Sequence, residues 1–227
     1  PTVRIYGDFT ADGTFAPGNS TIEMAGCPGT TGVLHNINTT GNTTIPFASL
    51  TLNDAAGATL NSNATILNDL TLSSGLFTNN NRTFTFLSTA ANTARVAPIT
   101  GGTYAGNITM QRLAPGGTTG WALFGSCVNN TTLADWYNNN TEIAMSGFPG
   151  VSYAVGSSNF VSVYTYDETA AGVMNSAASY VVPTNISNSI VPGNGYMIYF
   201  GNGGTTTTDI LFDVTGTFTR GNFSFPV

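Results

Sequence analysis

General-base and nucleophilic chemistry near neutral pH most often uses histidine, and this chain has one: His35, within Val33-Leu34-His35-Asn36. A hydroxyl or thiol becomes a nucleophile only when a base is oriented beside it. No Gly-x-Ser-x-Gly elbow occurs, and the residues just before His35 are apolar. Packing or a surface position is therefore the expected role for the imidazole. A carboxylate pair could hydrolyse a glycosidic bond, but Asp167 and Glu168 are adjacent, and on a strand they would point to opposite faces. They suit a turn after Tyr164-Thr165-Tyr166. Asp209 and Asp213 would share a strand face, an ordinary place for acids at strand ends.

Cation binding has a partial signal. In Asp8-Phe9-Thr10-Ala11-Asp12-Gly13, oxygen-bearing side chains alternate and a glycine follows. Asp8 and Asp12 would be the ligands of a calcium site, the one cofactor this stretch suggests. The bidentate glutamate of a full loop is missing, since Asn19 holds that place. Zinc is not expected with one histidine and no close cysteine pair. Sugar stacking has more material in Trp121, Trp136, Tyr137, Tyr153, Tyr164, Tyr166, Tyr196 and Tyr199. Most of these should fill a core. Asp135-Trp136-Tyr137, beside Asn138–Asn140, is the expected exposed glycan contact.

The elements that must position these groups follow a repeat of Asn, any residue, Thr and a large apolar residue. It occurs at Asn19-Ser20-Thr21-Ile22, Asn42-Thr43-Thr44-Ile45, Asn63-Ala64-Thr65-Ile66, Asn81-Arg82-Thr83-Phe84 and Asn107-Ile108-Thr109-Met110. A period near ~20 residues suits one coil of a β-solenoid. Leu50-Thr51-Leu52-Asn53 returns as Leu70-Thr71-Leu72-Ser73, and Gly57-Ala58-Thr59-Leu60 as Gly75-Leu76-Phe77-Thr78. Apolar residues alternate with Thr, Asn and Ser, and Gly57 and Gly75 fall where the chain must turn. A β-sandwich would also give short, evenly spaced strands; the repeat favours a solenoid.

The expected fold is all-β: a parallel β-solenoid-like domain over residues 1–113, then an antiparallel, jelly-roll-like β-sandwich over 121–227. The joint is Ala114-Pro115-Gly116-Gly117-Thr118-Thr119-Gly120. Strands are expected at Trp121–Phe124, Ile143–Met145, Phe160–Tyr166, Ser179–Val182, Tyr196–Phe200, Asp209–Val214 and Phe218–Phe225, with a helical turn near Thr132–Tyr137.

Only 7% of residues are charged, lysine is absent, and the net charge is −6. Without a basic patch to displace counterions from phosphate, nucleic acid is not an expected partner. An anionic membrane surface is disfavoured for the same reason, and no apolar run reaches the ~18–20 residues of a spanning helix. Neutral amides and hydroxyls permit close packing against like subunits, neighbouring domains or glycans. Cys27 and Cys127 lie in similar small-residue settings. In an oxidising compartment a disulfide between them would add roughly 4–5 kcal/mol by loop closure; the alternative is two buried thiols. Eleven Asn-x-Ser/Thr sequons occur, a number that abundant Asn and Thr produce by chance.

Two stretches resemble large secreted surface proteins of Bacteroidota, exported by the type IX secretion system. Phe47-Ala48-Ser49-Leu50-Thr51-Leu52-Asn53-Asp54 through Asn63 is similar to their β-repeat regions, and Gly7-Asp8-Phe9-Thr10 to a preceding coil. Asn107 through Arg112, Gly120-Trp121-Ala122-Leu123-Phe124, Asp135-Trp136, Phe160 through Glu168 and Pro192-Gly193-Asn194-Gly195-Tyr196 resemble the sandwich-like module that follows the repeats. The resemblance implies an extracellular, cell-surface location and an adhesive or structural role, with no catalytic residues. No charged and apolar leader precedes Pro1 and no sorting domain follows Val227, so an excised or internal piece of a longer protein is expected. Together these features suggest a non-enzymatic building block of a filament, appendage or adhesin stalk that self-assembles through β-strands. Val3, Arg4, Ile5 and Tyr6 would make the intersubunit contact, and a carbohydrate-binding surface module is the alternative.

Overall fold

The computed structural model describes residues 1–41, 44–116, 120–138, 145–151, 160–167, 169–170, 177–200 and 209–219. The motif residues Asn42 and Thr43, the joint residues 117–119, and Tyr153, Glu168 and Asn139–Asn140 lie outside them, as does most of the expected strand Ile143–Met145. The chain forms two compact units, Pro1–Arg112 and Leu113–Val227.

The first unit is a parallel β-solenoid of about five turns. Its first coil carries β1 (Thr2–Ile5) and β2 (Phe9–Ala11). The second carries β3 (Thr21–Ala25), β4 (His35–Thr39) and β5 (Thr44–Phe47). The third has β6 (Ser49–Asn53), β7 (Ala58–Leu60) and β8 (Asn63–Ile66), and the fourth β9 (Asp69–Ser74), β10 (Leu76–Thr78) and β11 (Phe84–Phe86). The fifth has β12 (Arg95–Val96), β13 (Thr103–Ala105) and β14 (Asn107–Ala114). Each coil after the first thus lays one strand on each of three parallel sheets. These run β1-β3-β6-β9-β12, β2-β4-β7-β10-β13 and β5-β8-β11-β14.

Period-2 alternation turns every second residue inward, and parallel pairing stacks those residues into columns. Ile22, Leu50 and Leu70 stand in one column, with Met24, Leu52 and Leu72 beside it; all six are buried. On the third sheet Phe47, Ile66, Phe86 and Met110 stack likewise. Size varies along a column and is compensated locally. Ala58 sits between His35 and Phe77, whose ring stacks on Tyr104 at 5.7 Å. Each large side chain so removed from water contributes roughly 1.5–3 kcal/mol.

The outward residues form ladders. Thr65, Thr85 and Thr109 are in register. A chain of side-chain amides runs across four coils: Asn80 Nδ2 donates to Asn61 Oδ1 at 3.0 Å, and Asn61 Nδ2 to Asn36 Oδ1 at 3.0 Å. Asn36 Nδ2 then donates to Asp8 Oδ1 at 3.1 Å, so the ladder ends on an acceptor-only carboxylate. The buried Asn79 joins the last two coils, donating from Nδ2 to Arg82 O at 2.8 Å and to Asn107 O at 2.6 Å.

In the second unit, β15 (Gly120–Phe124) is followed by β16 (Val128–Asn129), helix α1 (Leu133–Asn138), β17 (Val163–Tyr166), β18 (Tyr180–Val181), β19 (Tyr196–Phe200) and β20 (Ile210–Phe218). Four of them make an antiparallel sheet, β15-β19-β17-β18, and β16 pairs antiparallel with β20. The strand expected over Asp209–Val214 is seen as Ile210–Phe218, and the one expected over Phe218–Phe225 lies almost wholly outside the described residues. The sheet's inner face packs Phe124, Phe200 and Phe212, with centroid separations of 4.8–5.9 Å.

Candidate functional site

His35 opens β4, with its imidazole wholly inside the solenoid. Nδ1 lies 2.7 Å from the Gly7 carbonyl oxygen, and Nε2 lies 3.0 Å from Asp54 Oδ2. A carbonyl can only accept, so Nδ1 carries a proton, and one further proton lies between Nε2 and the carboxylate. The second oxygen of Asp54 accepts the Ala56 backbone N–H at 2.9 Å. The three partners belong to the first, second and third coils, so the pair staples consecutive turns. Both nitrogens are engaged and the imidazole has no solvent access, so it is a buried group with polar partners.

The calcium expectation is not met in this geometry. Asp8 Oδ1 accepts the backbone N–H of Asn36 at 2.7 Å as well as its side-chain amide, and Asp12 accepts the Thr40 hydroxyl. These partners all lie 28 residues on, one coil away, so the alternating oxygens are rungs between coils rather than a converging shell. Among the described residues no group of three or more His, Cys, Asp or Glu side chains is placed to hold a metal ion.

Val3, Arg4, Ile5 and Tyr6 lie on or just after β1, an edge strand of its sheet; Val3 and Tyr6 are exposed. Arg4 is committed within the chain: its Nε donates to Glu23 Oε2 at 2.8 Å across the β1–β3 pair. Asn53 Nδ2 donates to the other oxygen of Glu23 at 3.1 Å. The Asn53 hydrogen bond first, and Arg4 second, hold the Glu23 carboxyl below its ordinary value of 4.5. A folded-state value depressed in this way contributes stability that is present above pH ~4.5 and lost as pH falls through the folded value. Urea midpoints of wild type and Glu23→Gln should therefore converge on acidification from pH 7 to about pH 3. A gap that stays constant with pH would show that this carboxylate does not report folding.

Asp135, Trp136 and Tyr137 all lie on α1, but not as an exposed sugar contact. Leu133 and Trp136, one turn apart, are both fully buried, and Trp136 packs edge-on against Tyr196 at 5.4 Å and Phe212 at 6.2 Å. Its indole N–H is buried and finds no acceptor among the described residues. Asp135 Oδ2 accepts the Thr132 N–H at 2.7 Å and its hydroxyl at 3.0 Å, a capping role at the helix start. Tyr137 is half-buried. The apolar Leu133-to-Trp136 spacing on a helix was the signal of burial.

The aromatic surface lies elsewhere, on the outer face of the four-stranded sheet. Register places Leu123, Met197 and Tyr164 in one cross-strand row, with Trp121 opposite Tyr199 and Tyr166 opposite Tyr180. Trp121 contacts Tyr164 at 5.6 Å and Tyr199 at 5.5 Å, and Tyr180 contacts Tyr164 at 6.1 Å and Tyr166 at 5.4 Å. Leu123 is 78% exposed, and Trp121 and Tyr166 are each 42% exposed. A cavity of about 670 Å³ opens here, lined in part by Leu123, Tyr164, Tyr166, Tyr180, Asp167 and Asn194. Asp167 Oδ1 accepts the Thr169 hydroxyl at 2.6 Å and its backbone N–H at 2.9 Å. Those bonds, the hydroxyl's first, hold the Asp167 carboxyl below the usual carboxylate range.

No known protein family, curated protein or solved structure matches this chain. Of the aromatics proposed for sugar stacking, Trp121, Tyr164, Tyr166 and Tyr199 meet on one face, while Trp136 and Tyr196 are core. Tyr180, Leu123 and Asn194 were missed; apolar residues at both parities of β15 and β19 were the available sign of a second apolar face. The disulfide considered for Cys27 and Cys127 would have to join the two units. Cys27 is exposed in a turn of the first unit, and Cys127 is half-buried in the second. Burial on β20 pushes the Asp213 carboxyl up. Asp209 Oδ1 accepts the Gly116 N–H at 2.8 Å.

Proposed function

We propose that the chain is a non-enzymatic structural module of an extracellular cell-surface protein, similar in kind to the secreted surface proteins of Bacteroidota. In this reading the solenoid is a stiff spacer, and the second unit is an antiparallel sandwich carried with it. The observation that carries the proposal is the five-coil stack, in which polar side chains join coil to coil instead of converging on a reacting centre. The only histidine is spent inside that stack. Parallel coils at a solenoid edge offer main-chain groups to an added strand, and β1 with exposed Val3 and Tyr6 is such an edge. Self-association, or docking onto a neighbouring domain of a longer protein, follows from strand addition there.

Electron microscopy of the purified chain at high concentration tests the assembly part. Fibres or rings that disappear when Thr2 is replaced by proline would support strand addition: the Pro1 carbonyl accepts the Thr21 N–H within the β1–β3 ladder, so Thr2, the next residue, turns its own N–H to the open edge, where proline removes the donor. Dispersed particles for wild type and variant alike would overturn it.

A further inference from the structure

Three features could carry chemistry beyond the spacer role: the buried His35–Asp54 pair, the buried Trp136 N–H, and the groove on the outer sheet face. The first is closed to solvent and the second is packed by Tyr196 and Phe212. The groove is open, and its chemistry is selective.

Its walls combine apolar and hydrogen-bonding groups in a pattern with few ligand matches. Tyr164, Tyr166 and Tyr180 supply ring faces, with Tyr180 turned 79° and 76° to its two neighbours, so the faces line a trough rather than one flat plate. Leu123 and Met197 extend the apolar floor along the sheet. Asp167 and Asn194 place a carboxylate and an amide at the rim. Among the described residues no arginine lines the groove, and the chain has no lysine. An anionic ligand, whether phosphate, sulfate or uronate, would meet the Asp167 carboxylate without a compensating cation. A purely apolar ligand would leave these polar groups unpaired. A small cation would fill only a fraction of a space of about 670 Å³. A neutral sugar chain satisfies all three conditions: its C–H faces stack on tyrosine, its hydroxyls pair with a carboxylate and an amide without bringing a charge, and it is large enough for a space of about 670 Å³.

We propose that this groove binds a neutral oligosaccharide, stacked on Tyr164, Tyr166 and Tyr180 and hydrogen-bonded to Asp167 and Asn194. The inference goes beyond the scaffold reading and stands on a different unit of the chain. Asp167 is suited to the role because Thr169 occupies one of its oxygens and fixes its orientation. Tyr166, being partly exposed at the end of β17, can be removed at small cost to the fold.

The test is titration of the full chain with cellohexaose, xylohexaose, mannohexaose and maltohexaose, followed by aromatic fluorescence and calorimetry. Binding of at least one, weakened about tenfold or more in Tyr166→Ala and in Asp167→Asn with unchanged unfolding midpoints, is the expected result. Trigalacturonate and choline chloride serve as the anionic and cationic competitors. Failure of all four neutral probes at millimolar concentration would overturn the proposal, as would undiminished binding by both variants. Stronger binding of trigalacturonate or choline than of any neutral probe would also overturn it. Filament formation is scored separately, so loss of either reading leaves the other measurable.

Discussion

His35→Ala lowers the unfolding free energy of the solenoid by about 3–5 kcal/mol, as measured by urea denaturation of the full chain. The loss comes from what is left behind. With the imidazole gone, the Asp54 carboxylate stays buried with the Ala56 N–H as its remaining donor shown here, and the Gly7 carbonyl loses its partner. Gly32 lies so close to Asp54 that a side chain there would collide with the carboxylate, so the acid is tightly enclosed. Asp54→Ala is costly for the mirror reason, since it strands the imidazole. The double variant His35→Ala, Asp54→Ala loses less than the sum of the two, because neither partner is left charged and alone. Strict additivity of the two losses would show that the contact is incidental.

Gly75→Ala has an effect of similar size, roughly 2–4 kcal/mol, from a different cause. Gly75 has φ +80°, and a Cβ there would fall on the Asp54 carbonyl oxygen and lie 3.0 Å from the Cα of Gly57. Gly57, with φ +88°, makes the matching turn one coil earlier, and its own Cβ would come within 2.5 Å of the Leu76 carbonyl oxygen. The two turns nest backbone on backbone. Gly18 is the control: its φ is +55° but open space surrounds it, so Gly18→Ala isolates the left-handed penalty of about 1–2 kcal/mol. Thermal unfolding of the two variants separates collision from conformation. Equal shifts in midpoint would mean that the nested contact is unimportant.

The turns at Gly57 and Gly75 were legible, but their register was not. Pairing Ala58 with Leu76, as the repeat suggests, is wrong by one residue; Ala58 pairs with Phe77, and Leu76 is left exposed. A slip of one exchanges the two faces of a strand, and glycine, with no side chain to place, gives no clue to the parity. By contrast Leu50-Thr51-Leu52 pairs with Leu70-Thr71-Leu72 as read, because two leucines set the face unambiguously. The Asn-x-Thr repeat identified the solenoid while concealing its cross-section. Its first copy lies on the β1-β3-β6-β9-β12 sheet and the later described copies on the β5-β8-β11-β14 sheet. On that sheet Thr65 pairs with Thr85 rather than with the motif Thr83, a displacement of two that preserves which residues face inward. Hydrophobic alternation encodes parity strongly and absolute register weakly. Coil length is set in the turns, where composition varies little. The candidate site was harder still, since its tyrosines come from β17 and β18, and only strand order brings them together.

The staples between coils also bear on how the first unit would respond to being pulled. Its strands lie across the stacking direction, with β1 on the first coil and β14 on the last. Tension applied at those two ends would load the inter-coil hydrogen bonds along their own length, so they would part like a zipper, one turn after another. Yield would then be set by the hardest local stop rather than by the sum of all bonds. His35 with Asp54 across the first three coils, and Asn79 across the last two, are such stops. A tether of this design would extend in steps, holding at each stop before releasing the next turn.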